Sequence, residues 1–205
     1  MMNEYNVSDA ADISAVFHME SGGSVAVRLL QKAAPNTVNS FLYCARQGVY
    51  DGHAIERIVP GKYVDLSYRA FSRPEAKYLI PLEYELRPEL VPIGIGFGCV
   101  CMGGYGALGI AGGEVFFPLS PCPELYGLYP VFGFVTSGHE ELRRIASVAV
   151  TQVTDIPGVT IYRPVVPEVI RSVTLQTRTA DGRPYEYRDP VRIKNPTLPD
   201  NWRPD

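Results

Sequence analysis

The stretch APNTVNSFLYCARQGVYDGHAIERIVPG, residues 34–61, runs from a helix through a turn into a strand. Pro35 suits the first helical position, where its missing N–H leaves nothing unsatisfied. Val38, Phe41, Leu42 and Ala45 then fall on one stripe, and Gly48 closes the helix. After the turn at Tyr50-Asp51-Gly52, residues 53–59 read as a strand with a charged pair, Glu56 and Arg57, in its middle. Side chains of an extended chain alternate, so Arg57 should share a face with Ile55 and Val59, and Glu56 the other with Ala54 and Ile58. Neither face is purely apolar. One reading is an edge strand with a surface ion pair. The other is a groove whose floor carries an arginine that does chemistry.

Outward from this stretch the punctuation is that of a β-rich domain. Residues 13–20 and 24–30 are apolar-rich runs joined by Ser21-Gly22-Gly23, a hairpin signal. Further strands are predicted at 63–68, 97–102, 114–119, 131–136 and 169–177. A second helix is predicted over 139–149, with Leu142, Ile145 and Ala146 spaced for burial, and Pro157-Gly158 marks a later turn. Two helices among many short strands predict a mainly β fold, a closed barrel with helices at its ends. Residues 13–178 form the expected domain. Residues 179–205, rich in proline and charge, read as an arm or tail that could contact a partner or a second copy.

Composition narrows the function. The chain has 205 residues, 46% hydrophobic and 20% charged, enough for one full core. Net charge is only -3 and no run of Lys or Arg exceeds two residues, which argues against nucleic acid or an anionic membrane as partner. The start, MMNEYNVSDAADI, lacks the basic and apolar regions of a signal peptide, and residues 91–104 are too short and glycine-rich to span a bilayer. A soluble, cytoplasmic protein is the expectation. Cys44, Cys99, Cys101 and Cys122 are therefore expected as free thiols, and with His18, His53 and His139 scattered, no metal site is expected. The segment GYGALG, residues 104–109, fits G-x-G-x-x-G, but IAGGEVFFPL follows where a dinucleotide fold needs a helix, so no cofactor is expected either.

Four runs, taken in order and spacing, resemble one family. They are residues 34–61 above, GCVCMGG (98–104), GGEVFFPLS (112–120) and VFGFVTSGHEELRRI (131–145). They are similar to the cyclophilin-type peptidyl-prolyl isomerases. The resemblance covers about three quarters of the chain, counting the strand at 169–177, and implies an eight-stranded antiparallel barrel capped by two helices. It also implies a substrate, the X-Pro bonds of polypeptides, and a reaction that needs no nucleophile, metal or cofactor. The X-Pro amide has partial double-bond character and a barrier of roughly 18–20 kcal/mol. A cation near the prolyl nitrogen favours the pyramidal nitrogen of the twisted transition state over the resonance form.

Carried over residue by residue, the resemblance makes Arg57 the catalytic group. The substrate groove would be formed by Lys62, Tyr63, Asp65, Gly103, Gly104, Glu114, Phe116, Leu125 and Tyr129. Phe116 and Leu125 match the family's proline pocket, and Tyr63 replaces a methionine there. Several positions depart from the pattern. Lys62 stands where a pocket phenylalanine is common, and Glu56 replaces the histidine before the arginine. Asp65 and Glu114 replace glutamines, Gly104 an asparagine, Tyr129 a histidine, and Glu124 a rim tryptophan used by the inhibitor cyclosporin. The arginine persists in a more acidic setting. Three functions stand open: a slow or narrow isomerase, a proline-peptide binding module, and an interaction protein with a vestigial groove.

Overall fold

Alternate residues of the first two strands enter one interior. Ile13, Ala15, Phe17 and Met19 of β1 (Ala11–Met19) and Val25, Val27 and Leu29 of β2 (Ser24–Leu29) are all buried, while the residues alternating with them face outward. In the computed structural model, which describes residues 11–156, 159–179, 183 and 185–202, this hairpin is part of one antiparallel sheet. The later strands are β3 (His53–Ala54), β4 (Arg57–Val59), β5 (Tyr63–Asp65), β6 (Leu79–Ile80), β7 (Cys99–Gly104), β8 (Ile110–Pro118) and β9 (Val131–Ser137). A separate hairpin, β10 (Val150–Ile156) with β11 (Val159–Pro164), precedes the last strand, β12 (Val169–Thr179).

The sheet runs β3-β12-β1-β2-β9-β7-β8-β5-β4, with β6 also on β8. Its two ends, β3 and β4, are pieces of one extended stretch. The sheet therefore curls until its edges meet, and the circuit is completed by the chain at Ile55 and Glu56 rather than by a continuous ladder. The count is ten strands, not the eight expected, because the run 53–59 divides in two and β6 adds a two-residue strand.

That division corrects the expected alternation. Ile55 was placed on the face of Arg57, yet Ile55 and Ile58 both lie in the main core at 1% and 0% exposure. The break at Ile55–Glu56 shifts the phase, so Arg57 and Val59 look outward without carrying Ile55 with them. Glu56 does not enter the barrel either; its carboxylate lies 3.5 Å from both Arg69 and Arg163.

The core is aromatic. Phe41 of α1 (Pro35–Arg46) meets Tyr50 at 5.5 Å and Phe132 at 5.4 Å, and Phe17 meets Phe117 edge-on at 5.9 Å. The helical stripe Val38, Phe41, Leu42 and Ala45 is buried as expected. No side chain at its own N-terminus caps α1. Glu83 of the short helix α2 (Glu83–Leu86) does so instead, accepting from the N–H groups of Asn36 and Thr37 and the Thr37 hydroxyl at 3.1, 2.8 and 2.7 Å.

Other boundaries moved for packing reasons. Helix α3 (His139–Ala146) stops before 149, where the Ser147 hydroxyl bonds the Arg144 carbonyl and the chain turns into β10. The strand expected at 63–68 ends at Asp65. Strand β8 begins earlier than expected, at Ile110, because Gly112 leaves room for the Tyr78 ring and Gly113 for Ala76 and Cys44. That start also puts a strand where a dinucleotide fold would need a helix. The turn expected at Pro157-Gly158 lies outside the described residues.

The described part of the C-terminal arm folds back on its own barrel. Val191 and Asn36 exchange two hydrogen bonds of 2.7 and 3.1 Å, Ile193 N donates to the Leu79 carbonyl, and the Arg192 guanidinium lies 3.9 Å from the Tyr78 ring centre. All four cysteines are free and buried. Among the described residues, no cluster of three or more His, Cys, Asp or Glu could hold a metal ion, and no helix is long and apolar enough to cross a membrane.

Candidate active site

The turn at Pro60-Gly61 decides where Arg57 sits. Gly61 takes φ +73°, and the tight hairpin it allows pairs β4 with β5 so that Arg57 faces Asp65 directly. On its other edge β5 pairs with β8, and there Asp65 faces Phe116. One cross-strand row therefore carries Arg57, Asp65 and Phe116. Glu114 lies two residues before Phe116, hence on the same face of β8.

These side chains line a pocket of about 120 Å³ together with Tyr63, Gly103, Gly104, Leu125 and Tyr129. Nine of the ten residues anticipated from sequence thus converge; Lys62 does not line this pocket. It lies in an adjoining cavity of about 370 Å³ with Arg57, Val59, Tyr63, Cys122, Glu124, Leu125 and Tyr162. The apolar floor is Phe116, edge-on to Tyr63 at 5.7 Å and to Tyr129 at 5.8 Å. It belongs to a small cluster with Cys101, Cys122 and Val131, distinct from the main core.

Arg57 is held from three sides. Its guanidinium carbon lies 5.3 Å from the Tyr63 ring centre and 5.0 Å from that of Tyr68, and Nη1 lies 3.6 Å from Asp65 Oδ2. An ion pair at that length is one loose contact, not a two-pronged fork. Arg57 Nε is buried with no hydrogen-bond partner, while the side chain as a whole keeps 21% exposure and lines the pocket.

Two carboxyls lie buried beside Arg57. Asp65 is 1% exposed and Glu114 7%. Burial pushes Asp65 up to about 7, against the pull of Arg57 and a hydrogen bond from Glu114. Burial first, then repulsion from Asp65, raises Glu114 well above the ordinary carboxylate range. With the cation beside Asp65, Glu114 is the carboxyl of the pair that holds a proton more firmly. Gly103 makes room for this: a Cβ there would fall 2.5 Å from Glu114 Oε1. A Cβ at Gly104 would lie 2.9 Å from the Gly109 carbonyl, so an asparagine cannot be seated there with this backbone.

The whole chain bears on what such a pocket belongs to. Residues 15–174 match the family described as cyclophilin type peptidyl-prolyl cis-trans isomerase/CLD. The chain belongs to the cyclophilin-type isomerase family. It is 30% identical over 144 residues to peptidyl-prolyl cis-trans isomerase B of Bacillus subtilis, covering 69% of this chain and 96% of that one. It is 32% identical over 139 residues to peptidyl-prolyl cis-trans isomerase CYP18-2 of Arabidopsis thaliana, covering 67% and 82%. Among solved structures, a cyclophilin-type isomerase of Cryptosporidium parvum superposes with a TM-score of 0.62 at 18% identity, over 80% of this chain and 98% of the other. Another structure of the Cryptosporidium protein, in the presence of the dipeptide Ala-Pro, gives 0.61.

Three side chains of this cyclophilin's site were not anticipated from sequence. Tyr68 lies beyond the turn that ends β5, Tyr105 was hidden inside GYGALG, and Tyr162 comes from the β10–β11 hairpin, whose strands carried no clear local pattern although Pro157-Gly158 reads as a turn. The only usable signal was the tyrosine count of thirteen, high for surface residues of a small domain but silent about place.

Proposed function

We propose that this cyclophilin isomerises X-Pro bonds in polypeptides, with Arg57 as the catalytic residue and Phe116, Leu125, Tyr63 and Tyr129 receiving the proline ring. The observation that carries the reading is the Arg57 guanidinium lining the same pocket as the apolar floor, Phe116. Seated there, a prolyl nitrogen would meet a cation in surroundings that exclude most water, where its effect on a developing lone pair is strongest. Two tyrosine rings hold the cation beforehand, so little reorganisation is needed during the reaction. Lys62, Glu124 and Tyr162, lining the adjoining cavity, would meet the residues flanking the proline.

The rate should be slow. Asp65, where it is ionised, offsets the charge of Arg57, and Gly104 offers no side chain to hold the substrate backbone. Those same features favour a second reading, a proline-peptide binding module, which differs only in lacking turnover. In the first reading the work is on proline bonds of folding chains in the cytoplasm. Exchange NMR on a short X-Pro peptide separates the two. Wild-type protein should accelerate exchange, and Arg57→Ala should reduce it by about a hundredfold, ~3 kcal/mol, with the fold retained. Acceleration unaffected by Arg57→Ala would remove Arg57 from the mechanism; peptide binding without acceleration would leave the binding module.

A further inference from the structure

The cavity beside the proline pocket is about three times its size, 370 Å³ against 120 Å³, and Arg57, Tyr63 and Leu125 line both. A chain whose proline sits on Phe116 therefore has room to continue there. The elements that wall this cavity are fixed by contacts of their own. Lys62 N–H donates to the Val59 carbonyl at 2.9 Å, and the Lys62 carbonyl accepts from Leu119 N–H at 2.7 Å, so the side chain projects from a pinned turn. The turn Pro123–Leu125, closed by Leu125 N–H on the Cys122 carbonyl at 3.0 Å, presents Glu124. The β10–β11 hairpin stands outside the main sheet and packs on β4. Arg163 Nη2 lies 3.5 Å from Glu56 Oε2 there, and the neighbouring Tyr162 lines the cavity.

Charge is unevenly spread over this lining. Arg57 and Lys62 bring two cations, Glu124 one carboxylate. The Arg57 cation already has Asp65 at 3.6 Å. Lys62 and Glu124 are both exposed, and among the described residues neither has an ion-pair partner within 4.0 Å, so they line one cavity without neutralising each other. We propose that this cavity is a subsite for an acidic side chain, Asp or Glu, close to the proline of the substrate polypeptide, with Lys62 as the residue that sets the preference. The inference rests on the reading of the neighbouring groove as a proline site. The flexible stem of Lys62 lets its ammonium follow the ligand carboxylate, while Leu125 and the half-buried Tyr162 cover the ligand's apolar stem. A basic residue at the same place would meet two cations. Glu124 repels the acidic ligand from its own side, which keeps the preference modest.

The test uses the full chain and short peptides built around one Ala-Pro bond, carrying Glu, Gln or Lys in turn at each flanking position. Affinity is read by NMR chemical-shift titration and turnover by exchange, with circular dichroism checking each variant's fold. At one flanking position, Glu should bind about fivefold more tightly than Lys at low salt, with Gln between them. The difference should collapse in about 1 M salt, where surface charges are screened within a few ångströms. Lys62→Arg should keep the order, Lys62→Glu should reverse it, and Glu124→Gln should widen it. Peptides bound and exchanged alike whatever their charge would overturn the subsite and leave the proline groove standing. A preference that survives Lys62→Glu would also overturn it. Charge-selective binding that depends on Lys62 but brings no acceleration of exchange would uphold the subsite and remove the catalytic reading, whereas no binding by any peptide would sink both.

Discussion

Arg57 and Asp65 are where this cyclophilin departs furthest from a neutral groove, and the two act against each other. The 3.6 Å contact is too long to align the guanidinium firmly, which the Tyr63 and Tyr68 rings do anyway, yet under the proposed mechanism the carboxylate would cancel part of the field at the prolyl nitrogen. Asp65→Gln, or Asp65→Asn where the longer side chain crowds Phe116, should therefore raise the exchange rate several-fold. A fall in rate would mean that the ion pair holds Arg57 in place and that the rings do not. The identity of Arg57 was legible from the residues around it. Its setting was not, because that depends on the hairpin register and on a tyrosine beyond the turn.

Two elements carry the next predictions. Helix α1 has no cap of its own, so the buried Glu83 carboxylate stands in for one from a separate short helix. Glu83→Gln places an amide N–H₂ where an acceptor is needed and should cost about 2–3 kcal/mol, read as a lower urea midpoint with unchanged slope. An unchanged midpoint would show that water can replace the carboxylate. The turn Pro123–Leu125 sets the rim of the groove, and it presents Glu124, exposed, where an apolar anchor would be needed for cyclosporin. With Gly104 also unable to accept a side chain there, binding should be weakened by several kcal/mol, on the order of a lost hot spot. Calorimetry that returned tight binding would mean the drug engages a different part of the rim.

At the scale of the whole molecule the buried carboxyl pair should appear as a pH dependence of stability. Asp65 and Glu114 titrate higher in the folded chain than in the unfolded one, so the folded state holds more protons above pH 4. Stability from the pair is then greatest at low pH and is lost as pH rises through about 7 and beyond. His53 acts in the opposite sense: burial lowers it to about 4, so its contribution is present above the ordinary histidine range and is lost as pH falls through 4. The pair is isolated by comparing wild type with Glu114→Gln in urea between about pH 5 and 9. The variant should lose less stability than wild type across that range; parallel curves would mean that the two carboxyls do not share a proton.

Local pattern determined much of this protein. Apolar runs specified β1, β2 and β9, the stripe of Val38, Phe41 and Leu42 specified α1, and the resemblance of four runs to one family pointed to the nine residues that line the pocket. These are short-range signals, since a strand face or a helix stripe repeats within a few residues. What the tertiary structure alone decided is of longer range. The break at Ile55 exists because one stretch serves both edges of a closing sheet. The β10–β11 hairpin is too polar to show a buried face, and Tyr162 matters only through where the hairpin lands. The Trp202–Tyr105 bond joins residues 97 apart in sequence. No period in the sequence encodes such a meeting, because it follows from how the barrel closes and where the arm comes to rest.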